Sequence, residues 1–233
     1  MTESRIDAAQ LLTRAPADAL ASYFALEHDP RRVQLHVRTN TAGRTLAFVA
    51  VCQTGIDLFR PLVVLRSNDA AALHETIRAA LQPGRQYLLS APPSLQPEIA
   101  AECELQGVTI NTISTLTVAD FKPVANILVQ TSRTPDGLLR ASIAARGGGI
   151  AAEAGVSWIS TRYAEVYVQV NESLRNRGLG KSVVSALCAA ILERGRTPLY
   201  VAAADNVASQ RLAARLGFAE TGAFELTGAM TLR

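Results

Sequence analysis

Lysine is almost missing from this chain: of 233 residues, Lys122 and Lys181 alone carry a primary ammonium side chain. Histidine is scarce too. His28, His36 and His74 all fall in the first third, so the second half has no imidazole to offer as a base. The three cysteines, Cys52, Cys103 and Cys188, stand at no metal-ligand spacing and are too few for a disulfide framework. Cys188 lies in a predicted helix and reads as core. Aromatic residues make up 5 %, and no basic run is interleaved with them, which argues against a nucleic-acid partner. No apolar stretch approaches the roughly 18 residues that a membrane span needs. The opening, with Glu3 and Asp7, lacks the basic segment of a secretory leader. A cytoplasmic protein working without membrane or nucleic acid is the expectation.

What is present is core material and a lopsided charge. The chain is 48 % hydrophobic, enough for one large domain or two small ones. Residues 1–120 carry 10 Lys/Arg against 12 Asp/Glu, and residues 121–233 carry 13 against 8, so the halves stand at −2 and +5. A positive field over the second half suits an anionic ligand. The run Arg175-Asn176-Arg177-Gly178-Leu179-Gly180-Lys181-Ser182 gives that ligand a place. A polar turn there leaves a strand, passes two glycines and opens a helix, whose unpaired N–H groups and dipole attract phosphate. A helix start with flexible glycines is the plainer reading of those residues alone.

Spacing decides among phosphate patterns. A nucleotide-binding Walker loop needs glycine where Arg175 stands, and no acidic strand follows to hold a magnesium ion. A dinucleotide fingerprint needs glycine at Val183. The pattern Arg/Gln-x-x-Gly-x-Gly fits at Arg175, Gly178 and Gly180. Upstream, residues 165–170 alternate as a strand. Downstream, Val183, Val184, Leu187 and Ile191 recur at helical spacing. A second strand over residues 198–203 leads to Asn206-x-x-Ser209-x-x-Leu212-x-x-x-Leu216-Gly217-Phe218, with Asn206 as cap and Gly217 as helix stop.

These two segments, in this order, resemble the signatures of the GNAT (general control N-acetyltransferase) superfamily. The resemblance implies an α/β protein with a mixed sheet, the GNAT acyl-CoA N-acyltransferase fold, and acetyl-CoA as the acyl donor. It implies a GNAT catalytic domain over residues 121–233, preceded by a degenerate GNAT-like copy over residues 1–120. Strand, strand, helix, strand, helix, strand is predicted from Thr45 to Val118 and again from Ser142 to Leu232. In the first copy a helix is expected over 69–81, capped by Asn68 or Asp69, another over 96–105, and a strand over 107–118. There Asp69 places negative charge where phosphate would sit, so that copy is not expected to bind CoA. A mixed α/β domain unrelated to GNAT is the alternative for residues 1–120. In the second half a first strand is expected over 126–130, and the family's two helices after it have no room before Leu138.

The resemblance also implies roles. Backbone amides of Arg177 to Ser182 would hold the pyrophosphate, with Arg175, Asn176, Gly178, Leu179, Gly180 and Lys181 around it. Val168, Gln169 and Val170 would pair with the pantetheine amides, and the Val168 N–H would meet the acyl oxygen as charge develops there. Asn206, Ser209 and Leu212 would line the pantetheine side. An acceptor amine of pKa about 10 arrives protonated and needs a base, directly or through water. Glu165 is the candidate, with Glu172 and Tyr167 in reserve. Many relatives place a tyrosine seven residues after the signature asparagine, where this chain has Ala213; Ser209 or Tyr200 could stand in. The expected function is acetyl transfer to a primary amine of a small molecule or a protein, by a monomer or homodimer. A non-catalytic acyl-CoA-binding module is the alternative.

Overall fold

A computed structural model describes residues 2–55 and 57–233. The chain forms two compact units, Met1–Asn111 with Ala223–Arg233, and Thr112–Gly222. The sequence division at 120 therefore differs from the structural one: the chain leaves the first unit within one strand and re-enters it within the last.

The first unit begins with α1 (Glu3–Ala9) and a helical stretch over residues 16–27 that contains α2 (Ala19–Ser22). Then follow β1 (Val33–Thr39), β2 (Thr45–Cys52), β3 (Leu62–Ser67), α3 (Ala70–Ala80), β4 (Gln86–Ala91), α4 (Gln96–Glu102) and β5 (Cys103–Thr115). β1, β2 and β3 are antiparallel neighbours, β3 and β4 run parallel, and the far end of the last strand, β11 (Ala219–Leu232), pairs antiparallel with β4. Side chains of β2 are buried along nearly its whole length, because both faces are covered. Val49 and Val63 pack with Leu73 and Ile77 of α3, while the opposite face meets the amino-terminal helical stretch.

Helix α4 stops three residues before the expected end, and β5 starts at Cys103 rather than Gly107. Cys103 is fully buried and its backbone is already extended (φ −123°, ψ 149°), so burial overrides the helical pattern.

The second unit contains β6 (Gln130–Arg133), β7 (Leu139–Ala144), β8 (Ile150–Ile159), β9 (Tyr163–Val170), α5 (Leu179–Leu192), β10 (Thr197–Ala203) and α6 (Val207–Leu216). Its sheet runs β10-β9-β8-β7-β6, antiparallel except for the parallel pair β9/β10. The strand expected at 126–130 begins at Gln130 instead. Asn126 bends the chain first: its side chain accepts from the Leu128 amide at 3.0 Å, and its carbonyl accepts from Val129 at 3.1 Å. β6 and β7 are joined by a turn in which Gly137 donates to Thr134 at 2.8 Å.

Helix α5 packs on β7, β8 and β9 through Val183, Val184, Leu187 and Ile191, each at most 1 % exposed. Burial of such side chains is worth about 1.5–3 kcal/mol apiece, which fixes the position of the helix tip. Gly217 ends α6 at φ 97°, and a Cβ there would lie 1.9 Å from the Asp120 carbonyl oxygen, so no other residue fits. Phe218 folds back beside Tyr200, with ring centroids 5.4 Å apart.

Candidate functional site

The site begins where two strands part. β9 and β10 pair from Tyr163 beside Thr197 as far as Val166 beside Tyr200, and no farther. On its other edge β9 stays paired with β8 down to Ala152 beside Val170. The Asn171 amide donates to Ala151 at 2.9 Å. In an antiparallel ladder that bond fixes the alternation: the amides of Tyr167 and Gln169 face β8, and those of Val168 and Val170 face the gap.

The tip of α5 borders the same gap. Asn176 and Gly178 hold left-handed backbone (φ 63° and 76°), which curls the loop over the helix start. The first helical bond runs from the Ser182 amide to Gly178 at 3.1 Å. Among the described residues nothing accepts from the amides of Asn176 through Lys181. Consecutive free N–H groups beside the positive end of a helix dipole form an anion cradle. Gly180 has a second duty, since a Cβ there would come within 3.0 Å of Val170 and 3.2 Å of Leu212. Its bareness lets α5 sit close to β9 and α6.

A cleft of about 860 Å³ opens here. Of the residues expected to bind cofactor, Val168, Gln169, Val170, Arg175, Asn176, Gly178, Leu179, Gly180, Lys181, Asn206, Ser209 and Leu212 line it. Arg177 and Ser182 do not. The Ser182 hydroxyl faces inward, donating to the Gly178 carbonyl at 3.3 Å and accepting from the Asn126 amide nitrogen at 3.1 Å. Asn206 caps α6, its side-chain oxygen accepting from the Ser209 amide at 3.1 Å. The structure adds Leu174, Tyr200, Ala208, Arg211 and Arg215. The last three recur at helical spacing along one face of α6, a signal the sequence did contain. The lining includes Arg175, Lys181, Arg211 and Arg215 but no carboxylate, so the cleft presents positive charge to an anion.

Glu165 stands outside this lining, and its carboxylate accepts from the Trp158 indole N–H. Alternation along β9 puts Val166 and Val168 toward α5, and Glu165 and Tyr167 on the opposite face. On that opposite face Tyr167 donates to Glu153 at 2.8 Å, and Glu153 pairs with Arg140. Burial, then the bond and charge of Glu153, push the Tyr167 hydroxyl up to about 12, so it stays protonated and cannot serve as a base near neutrality. Its ring lies against Gly155, where an added Cβ would sit 2.4 Å from the phenol oxygen. Glu172, the other reserve, is exposed and pairs with Arg175 at 3.2 Å.

The thiols offer no nucleophile. All three are buried, and burial pushes Cys52 up to about 12, Cys103 to about 11, and Cys188 upward as well. Among the described residues no group of His, Cys, Asp and Glu could hold a metal, and no helix is long and apolar enough to cross a membrane.

Residues 151–225, which span β8 to the middle of β11, match the family model of FR47-like proteins. No curated protein matches the chain in sequence. Among solved structures, a GCN5-related N-acetyltransferase from Kribbella flavida superposes with a TM-score of 0.64 at 15 % identity, over 93 % of each chain. A GCN5-related N-acetyltransferase-like protein from Streptococcus suis gives 0.58 at 14 %, covering 92 % of this chain and 98 % of that one. A tandem GNAT protein from the clavulanic acid biosynthesis pathway gives 0.57 at 16 %, covering 98 % of this chain and 92 % of its own. At such identities the likeness establishes the fold.

Proposed function

From the premise that this chain carries the GNAT fold in tandem form, we propose that it is an N-acetyltransferase. It takes an acetyl group from acetyl-CoA to a primary amine of a small molecule or a protein, by direct attack. The observation that carries this reading is the row of free amides from Asn176 to Lys181, set in a cleft without carboxylates. A diphosphate accepts from those N–H groups, and the cations of Lys181, Arg211 and Arg215 balance its charge.

Acetyl-CoA supplies an activated thioester. The chain's own residues do the rest. Val168 and Val170 turn their amides to the gap, where the first can donate to an acyl oxygen as negative charge builds. Glu165 takes the ammonium proton of the acceptor, directly or through water, from the face away from α5. With the cysteines buried and protonated, no acyl-enzyme thiol is on offer, which favours direct attack.

A second reading, a non-catalytic acyl-CoA-binding module, is supported by Ala213 and by the engagement of Glu165 with Trp158. Calorimetry with acetyl-CoA and with ATP, followed by a thiol-release assay over a panel of amines, separates the cases. Binding of acetyl-CoA with amine-dependent thiol release is expected. Binding of ATP alone overturns the site, and binding without release on any amine favours the module.

A further inference from the structure

A hydrogen bond to the departing sulfur stabilises the charge that builds there, and the cleft has two side-chain hydroxyls to give one. Among the described residues that line it, Tyr200 and Ser209 are the hydroxyl-bearing ones. They are bonded to each other, oxygen to oxygen at 2.8 Å, one from β10 and one from the first turn of α6. Tyr200 is 3 % exposed and also the last residue of β10 still paired with β9. Ser209 is half-exposed, with its own amide taken by Asn206. Either oxygen can donate in that bond, and with Tyr200 as the donor the Ser209 proton is left to face the cleft. Ala213 cannot supply a phenol in their place. The void beside it, lined by Ala213, Tyr200 and Phe218 among others, measures about 30 Å³, room for roughly one water and not a ring.

We infer that Ser209, held by Tyr200, donates a hydrogen bond to the sulfur of the leaving group and stabilises it as thiolate. The inference rests on the acetyl-CoA reading of this cleft. The acceptor nitrogen forms a bond to the acyl carbon, the carbon–sulfur bond breaks, and its electron pair goes to sulfur. The amine proton leaves to the base or to water. The Ser209 proton stays on oxygen, and the released thiolate takes its proton from solvent. Full transfer from the pair would run uphill, because a thiol near pKa ~8.5 is a stronger acid than a tyrosine near ~10, and burial raises Tyr200 further. Ser209 is thus the catalytic residue and Tyr200 a positioning residue.

The test needs no acceptor. Free CoA is bound, and ionisation of its thiol is followed by ultraviolet thiolate absorbance as pH rises, in wild type and in Ser209→Ala, Ser209→Thr and Tyr200→Phe. Bound thiol is expected to ionise about one pH unit higher in Ser209→Ala than in wild type, the worth of one hydrogen bond to a charged group. Ser209→Thr restores the wild-type curve, and Tyr200→Phe shifts it upward by less. Identical titrations in wild type and Ser209→Ala overturn the inference while leaving the cofactor site standing. Failure of wild type to bind CoA overturns both, and is seen before any variant is made.

Discussion

Two helices in this chain follow a strand whose parallel partner leaves it early, and their tips are finished in opposite ways. β3 pairs with β4 only as far as Val64 beside Ser90, much as β9 pairs with β10 as far as Val166 beside Tyr200. After β3 the chain enters α3 almost at once. Asp69 caps it, accepting from the Ala72 amide at 2.8 Å, and the Ser67 hydroxyl oxygen accepts from the Asp69 amide at 3.0 Å. After β9 the chain spends residues 171–178 on a loop, and α5 opens on Gly178 with no side-chain cap. One tip is closed by its own carboxylate. The other carries no side-chain cap. A shared topology therefore does not make a site: loop length and one residue at the cap position decide it.

Giving the second tip the first one's residue should produce the largest effect. Gly178→Asp brings a carboxylate among the free amides and a side chain to φ 76°, and acetyl-CoA binding should weaken by at least about 100-fold in calorimetry. A dissociation constant near wild type would mean that the open tip is not the phosphate site. Next come the arginines of α6, which the first copy does not supply. Arg211→Ala and Arg215→Ala should each weaken binding about ten-fold, with a shallower salt dependence than wild type. Unchanged affinity in both variants would assign the cofactor's charge to α5 alone.

The converse change is smaller. Asp69→Ala should lower unfolding stability by about 1 kcal/mol and leave acetyl-CoA affinity untouched, because its carboxylate serves the helix only. A loss of affinity would show that the two tips are not independent. The least effect is expected in the first unit's interior. Glu225 there accepts from the Ser90 hydroxyl at 2.5 Å, and burial raises its carboxyl above the ordinary range. A raised acid binds its proton more tightly when folded. Its contribution is full below about pH 4.5 and fades as pH climbs through the folded value. Denaturant titrations should show a flatter decline on that limb for Glu225→Gln than for wild type, and parallel curves would contradict it.

Much of this was legible in the residues. The glycine spacing after Arg175, the cap at Asn206 and the stop at Gly217 are local chemistry, and local chemistry is readable from a sequence. So is the repeated order of elements. What escaped depends on the far side of a contact. The start of β5 at Cys103 follows from burial, which no single window reports. Ser182 follows the loop and is expected to offer its backbone amide, yet the first helical bond gives that amide to the Gly178 carbonyl. Glu165 carries the right charge for a base, and only the fold shows that the indole N–H of Trp158 in the neighbouring strand donates to it. Arg211 and Arg215 share a helical spacing, but only the packing of α6 along the cleft gives that spacing a use.

The phenol of Tyr167 resting on bare backbone at Gly155 has its own consequence. A methyl group at residue 155 would lift that ring, part it from Glu153 and leave the Arg140 pair to rearrange, so three polar side chains depend on a neighbour with no side chain at all. Attempts to redesign this face of the sheet should leave that glycine alone and vary what surrounds it.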